Sequence, residues 1–226
     1  MKGVPKAVLL DLDGTIVHFT FDAKRIRSEI AEIFVKSRIP QDLFKPEYRI
    51  SEILNKTEEY LNSNLAREEQ KRVKAFKRRV DQVIERYEME GAKNTTIING
   101  VDKALGELKE KGIKLVIVTN NSIRPTYYTL QKIGLTDFFD IVLTREYTQF
   151  IKPHPQLIQT ALKKLGLQPS EAISVGDSPV DIKASKEASV IAIGVTTGIA
   201  NEETLRASGA EHVISSLNQL PSIMKD

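Results

Sequence analysis

The stretch Ala7-Val8-Leu9-Leu10-Asp11-Leu12-Asp13-Gly14-Thr15 limits what this chain can fold into more than any other. Its apolar run reads as a strand buried on both faces, and it ends in two carboxylates two positions apart with a glycine behind them. Residues i and i+2 of an extended segment share a side, so Asp11 and Asp13 are expected to project toward a common point. At about 4 Å and an effective dielectric near 20, two like charges repel by about 4 kcal/mol, so the pair needs a cation, a shared proton or both. Taken alone, the pair is equally compatible with an acidic loop in water. An EF-hand calcium loop needs Gly at its sixth position and a bidentate Glu at its twelfth. Here the Gly stands fourth and the twelfth residue is Asp22, which excludes that reading.

The 226 residues suffice for one large α/β domain, or for a core domain with a smaller insert. From about Asp22 to Gly91 no strand pattern is present. Apolar residues recur there at helical spacing, at Ile26, Ile30, Ile33 and Phe34 and again at Val73, Phe76, Val80, Val83, Ile84 and Tyr87. This predicts a helical insert of about 70 residues, punctuated by Pro40 and Pro46, with Gly91 expected to stop its long last helix. Lys71, Arg72, Lys74, Lys77, Arg78 and Arg79 of that helix could attract a phosphorylated substrate, but after Glu68 and Glu69 they read better as a solvated face with i,i+4 partners.

From Val101 onward, helix and strand alternate. The pattern predicts a helix from Val101 to Lys111 ended by Gly112, a strand from Lys114 to Val118, a helix from Pro125 to Ile133 stopped by Gly134, and a strand from Ile141 to Leu143. After a loop from Thr144 to Lys152 come a helix from Pro155 to Leu165 ended by Gly166, a strand from Ala172 to Val175, a helix from Pro179 to Ala188 and a strand from Val190 to Ile193. His212 to Ile214 reads as a short last strand and Leu217 to Met224 as a closing helix. Such alternation specifies an α/β fold, a Rossmann-like parallel sheet with helices on both faces and right-handed crossovers, carrying the inserted helices.

Parallel strands bring the polar residues at their carboxyl ends to one edge of the sheet, where ligands of open α/β sheets bind. Asp11 and Asp13 end the first strand, Thr119 and Asn120 the second, and Gly176-Asp177 with Asp181 follow the strand beginning at Ala172. Asp177 and Asp181 lie four apart at a helix start, hence on one face at the positive end of its dipole. Alone, Asp177 would be an ordinary N-cap ahead of Pro179. Three or four carboxylates converging on one point instead make an oxygen cage suited to Mg²⁺. Thr119 supplies a hydroxyl, the Thr119 to Ser122 loop supplies backbone N–H groups, and Lys152 of Lys152-Pro153-His154-Pro155 supplies a fixed positive charge. A caged cation, donors and a lysine equip a site for a phosphoryl group, whose transfer is catalysed by positioning and charge neutralisation.

In that order, Asp11-Leu12-Asp13-Gly14-Thr15, Thr119-Asn120, Lys152-Pro153 and Gly176-Asp177-x-x-x-Asp181 resemble the four motifs of the haloacid dehalogenase superfamily. The resemblance implies a phosphatase that hydrolyses a small phosphate monoester with Mg²⁺. Asp11 would be the nucleophile that takes the phosphoryl group, and Asp13 would protonate the leaving group and then activate water. Thr119, Asn120 and Lys152 would bind phosphoryl oxygens. Asp11, the Asp13 backbone carbonyl and Asp177 would hold the ion, with Asp181 acting through water or as a support. The insert is similar to the superfamily's C1 cap, dividing the chain into a core of residues 1–17 and 93–226 and a cap of residues 18–92, a layout similar to phosphoglycolate phosphatases. His18 and Phe19, at the expected hinge, would face substrate or pack the hinge; His154 reads as a local loop residue and His212 as a surface one.

Dehalogenases of this superfamily lack an acid at the position of Asp13 and phosphonatases also depart there, so Asp13 favours phosphate chemistry. β-Phosphoglucomutase-like phosphotransferases share all four motifs, although Thr15 stands where they tend to have a β-branched aliphatic residue. A non-catalytic interaction protein of the same fold would be expected to have a damaged site, and no motif residue is missing. The chain has no cysteine, which removes thiolate chemistry and disulfides and suits a reducing cytoplasmic setting. No room for a signal peptide is expected before the first strand, and no apolar run approaches a membrane span. A net charge of +3 mildly favours small anions and is far from the basic face of a nucleic-acid binder.

Overall fold

In a computed structural model, residues 4–19 and 22–224 are described; Met1 to Gly3, the start of the lead-in to the first strand, lie outside them. The first strand, β1 (Ala7–Leu10), has no exposed residue. It is followed by β2 (Val17–His18), then by α1 (Ala23–Ser37), α2 (Ile50–Leu61) and α3 (Arg67–Asn94), and by β3 (Thr96–Ile97). The remainder runs α4 (Val101–Glu110), β4 (Lys114–Val118), α5 (Ile123–Lys132), β5 (Ile141–Leu143), α6 (Gln156–Leu165), β6 (Ala172–Gly176), α7 (Pro179–Glu187), β7 (Ile191–Val195), α8 (Glu202–Ala207), β8 (His212–Ile214) and α9 (Leu220–Ile223).

Six strands form one parallel sheet in the order β5-β4-β1-β6-β7-β8, with Leu10 opposite Ile117 on one side and Val175 on the other. Alternation along β1 divides its side chains between two cores, as both-face burial requires. Val8 and Leu10 join Leu115 and Ile117 beneath α4, α5 and α9, while Ala7 and Leu9 join Val116 and Val118 beneath α6 and α7. The Rossmann-like α/β reading is thus met. Because the chain order reverses at β1, the carboxyl ends of β4, β1 and β6 flank the crevice where such sheets take ligands.

The insert has its own core, in which Ile26, Ile30, Ile53, Phe76, Val80 and Ile84 are buried together with Ile151, the residue before Lys152. The chain enters and leaves it beside β2 and β3, an antiparallel pair that sets Val17 opposite Ile97 and His18 opposite Thr96. Two strands of two residues each give no periodicity to read, and α8 was likewise not anticipated. Gly91 does not stop α3, which runs on to Asn94. A helical glycine costs only about 1 kcal/mol relative to Ala, and Gly91 is buried in a turn that packs on α5, so tertiary contact overrides the stop signal. The closing helix is split into a 3₁₀ turn at Leu217–Gln219 and α9. The basic face of α3 is solvated: Lys71 pairs with Glu68, Lys77 with Glu58 and Asp81, and Arg72, Lys74, Arg78 and Arg79 are exposed. Among the described residues no helix is long and apolar enough to cross a membrane.

Leu9 is fully buried in the central strand, so Leu9→Ala is expected to lower the unfolding free energy by about 2–5 kcal/mol in urea denaturation. A loss under about 1 kcal/mol would contradict the central placement of β1.

Candidate active site

Asp11 extends β1 by one residue, its N–H donating to Val175 O at 3.0 Å, and then carries its carboxylate over the sheet edge. Lys152 meets it there. The ammonium has three protons to place, and it donates to Asp11 Oδ1 at 2.7 Å, to Asp181 Oδ1 at 2.5 Å and to Val118 O at 2.8 Å while only 3% exposed. Its main chain is held by Asn120, whose Oδ1 accepts from Lys152 N at 3.0 Å and whose Nδ2 donates to Lys152 O at 2.9 Å. Both ends of the Asn120 side-chain amide are thus used on the main chain of the lysine.

Asp177 and Asp181 come from the turn between β6 and α7. Ser178 caps that helix: its N–H and hydroxyl donate to Asp181 Oδ2 at 3.2 and 2.5 Å, which leaves the other oxygen to Lys152. Gly176 is dictated by this packing, since a Cβ there would stand 2.3 Å from Asp181 Cβ. Asp177 Oδ2 accepts from Ile199 N at 2.7 Å, in a loop after β7 that also sends the Thr197 hydroxyl to Gly14 O at 2.6 Å. Gly14 has φ +77°, and a Cβ on it would lie 2.5 Å from Asp177 Oδ2, so only glycine fits between the two acidic segments. This third loop, Thr197 to Ile199, carries no charged residue and gave no signal in the sequence.

Oxygens of Asp11, Asp177 and Asp181 all lie within 4.8 Å of one another. Burial, reinforced by Asp181 and Asp11, pushes the Asp177 carboxyl up to about 8. Burial likewise lifts Asp11 to about 6, with Lys152 pulling against it and Asp181 adding to it. For Lys152, burial favours loss of the proton, but Asp11 and Asp181 outweigh it and hold the ammonium above its ordinary range. One cation for three acids leaves the cluster negative, and an all-oxygen donor set suits a hard divalent ion. Asp181 has both oxygens committed to Lys152 and Ser178, so Asp11 and Asp177 could hold such an ion directly, with Asp181 as a support.

The Asp13 carboxylate stands apart from this trio. Its Oδ2 accepts from Asn121 Nδ2 at 2.6 Å, while Oδ1 is buried without a hydrogen-bond partner. Burial, and then the Asp11 charge, push its carboxyl well above the usual range. A carboxyl whose protonated form is favoured in this way can donate as an acid and accept again as a base. Thr119 accepts from Asn121 N at 3.1 Å through its hydroxyl, which keeps a proton of its own to donate. The expectation that the N–H groups of this loop meet an anion fails for three of them: Thr119 N donates to Leu143 O, Asn121 N to the Thr119 hydroxyl and Ser122 N to Glu88.

These residues floor a cavity of about 890 Å³ roofed by the insert, which contributes Arg27, Arg49, Leu54 and Ile84. His18 and Phe19 also line it. His154 is a local loop residue, stacked on Phe150 with ring centroids 4.8 Å apart, and His212 is exposed. Sequence reasoning missed Asn121, the Thr197 to Ile199 loop, and a buried pair, Glu88 and Arg145, at the cavity wall.

Residues 8–195 match the family described as haloacid dehalogenase-like hydrolase. A phosphoglycolate phosphatase of Nitrosococcus oceani is 30% identical over 133 residues, which span 59% of this chain and 59% of that protein. A Clostridium perfringens protein provisionally named pyrophosphatase PpaX is 31% identical over 195 residues, 84% of this chain and 83% of its own length. A solved structure from Bacteroides fragilis, provisionally described as a haloacid dehalogenase-like hydrolase, shares the fold with a TM-score of 0.66 at 24% identity, covering 96% of this chain and 99% of its own. With the match extending over the sheet and the insert alike, this chain belongs to the haloacid dehalogenase-like hydrolase family.

Proposed function

We propose that the chain is a Mg²⁺-dependent phosphatase that hydrolyses a small phosphate monoester through an aspartyl-phosphate on Asp11. The observation that carries this reading is the meeting of Asp11, Lys152 and Asp177 in one buried cluster beside Asp13. Relatives named as phosphatases support it. The ion, held by Asp11 and Asp177, would supply charge neutralisation at the phosphoryl oxygens.

In this reading an Asp11 carboxylate oxygen attacks phosphorus, forming the P–O bond to Asp11 as the bond to the ester oxygen breaks. Asp13 gives its proton to the departing oxygen, then takes one from water as that water attacks phosphorus and frees Asp11. Lys152 and the Thr119 hydroxyl bind phosphoryl oxygens whose charge rises in the transition state. Helices α1 to α3 serve as the cap, whose last helix runs two residues past the expected limit of 18–92, and the charges of Arg27 and Arg49 in its wall suit an anionic substrate. A non-catalytic role fits poorly with a cluster whose acids repel unless an ion is present. A cytoplasmic setting is proposed from the absence of cysteine.

The ion should register in stability. Asp11 and Asp177 reach about 6 and about 8 in the fold against an ordinary 3.8, so the folded chain keeps protons that the unfolded chain has released. Metal-free stability therefore falls as pH rises through that window. Mg²⁺ is expected to raise the thermal midpoint more at about pH 8 than at about pH 5, and Asp177→Asn to raise the metal-free midpoint at the higher pH while erasing the Mg²⁺ response. A midpoint indifferent to Mg²⁺ at both values would contradict the ion site.

Turnover tests the chemistry. Asp11→Asn, or EDTA, is expected to remove hydrolysis of p-nitrophenyl phosphate by at least about 1000-fold. Asp13→Asn should slow single-turnover cleavage of an alkyl phosphate by about 100-fold or more, yet slow that of p-nitrophenyl phosphate far less, because a good leaving group needs little protonation; hydrolysis of the aspartyl-phosphate, common to both esters, is slowed alike. Equal losses in the cleavage step would remove Asp13 from that role.

A further inference from the structure

The wall of the same cavity holds a second buried ion pair, in which Arg145 Nη1 donates to Glu88 Oε1 at 2.5 Å. Glu88 lies on α3 and is 2% exposed, and Arg145 opens the 3₁₀ turn Arg145–Tyr147 after β5 and is 8% exposed. Charges withdrawn from water this far are retained only where hydrogen bonds satisfy their remaining capacity, so the other partners of the pair show what it grips. Glu88 Oε2 accepts from Ser122 N at 3.1 Å and from the Ser122 hydroxyl. Arg145 Nη1 also donates to Asn120 O at 3.3 Å, its own N–H donates to Asn121 O at 3.1 Å, and its Nη2 donates to Asp81 O at 3.4 Å. Asn120, Asn121 and Ser122 are thus each held by one member of the pair. Between the held ends, Asn121 sends Nδ2 to Asp13 Oδ2 at 2.6 Å and its N–H to the Thr119 hydroxyl at 3.1 Å.

We infer that Glu88 and Arg145 are positioning residues: they clamp the Asn120–Ser122 loop so that the helical insert fixes where Asn121 holds the Asp13 carboxylate. The inference rests on the reading of Asp13 as the proton donor and acceptor. Neither residue of the pair touches the acids around Lys152; its hydrogen bonds reach Asp13 through Asn121, beside the direct effect of the Glu88 charge, which also raises the Asp13 carboxyl. A displacement of about 1 Å at a reacting group can cost about 100-fold in rate. A pair that merely fastened α3 to the sheet would affect stability and leave the chemical step alone.

The test uses the full chain with Mg²⁺, an alkyl phosphate and p-nitrophenyl phosphate, in Glu88→Gln and in Glu88→Gln with Arg145→Met. The double variant removes both charges and strands neither, so it covers the case in which the single variant fails to fold. Both are expected to lower the single-turnover rate of cleavage of the alkyl phosphate by about 10–100-fold with the half-saturating ester concentration within about 2-fold, and to lower that of p-nitrophenyl phosphate several-fold less. Wild-type cleavage rates in the folded variants, a loss confined to the half-saturating concentration, or equal losses in the cleavage step on the two esters would overturn the assignment. Crystal structures of the variants give a readout independent of turnover: Asn121 Nδ2 should move from 2.6 Å to beyond about 3.5 Å from Asp13 Oδ2. If the wild-type protein hydrolyses neither ester, the phosphatase reading falls, and the clamp is then judged by that distance alone. Asn121 still bonded to Asp13 in both variants would refute it.

Discussion

One buried ammonium holds the sheet edge together. Lys152 joins the acid beyond β1, the first turn of α7 and the last carbonyl of β4, three segments far apart in sequence. Without it, Asp11, Asp177 and Asp181 would face one another in a site largely closed to water, each close pair repelling by about 4 kcal/mol at an effective dielectric near 20. With it, and with Asp177 raised to about 8, the cluster keeps a smaller negative excess, of the sign that suits a divalent cation. Other bonds serve this arrangement: Asn120 fixes the lysine's main chain, Ser178 fixes Asp181, and Ile199 fixes Asp177.

What the sequence made legible are features written in short range. The strands β1, β4 and β6 are apolar runs, and each is followed by the polar residues that the fold gathers. Gly112, Gly134 and Gly166 follow helix ends at left-handed φ values, as their positions suggest. The misses have physical causes. Gly91 carries a stop signal weaker than the packing of the turn that contains it. The paired strands β2 and β3 are too short for a period. The bond from the Asn120 amide to the main chain of Lys152 spans 32 residues and has no local signature in the sequence.

Glu88 and Arg145 were out of reach for the same reason. Glu88 sits in a helix dense with charged residues, where it resembles any solvated acid, and its partner lies 57 positions downstream. Only the fold shows that these two are buried and that their bonds end on the loop beside Asp13. The insert therefore contributes in two ways. Its apolar core and two arginines close the cavity over the acids, and the carboxyl-terminal half of α3 reaches the sheet edge itself. Ile151, buried in the insert's core immediately before Lys152, ties the two parts together at the lysine.

If Asp11 is the nucleophile toward phosphorus, as proposed, the phosphoryl group must pass through its side chain. This is tested by mixing the Asp13→Asn variant with a phosphate ester and Mg²⁺, quenching rapidly in acid, and locating any covalent phosphoryl group by tandem mass spectrometry. A phosphoryl group on the Asp11 side chain is expected, accumulating because its hydrolysis is slowed. Turnover with no label on Asp11 at any quench time, or a label on another residue, would contradict it.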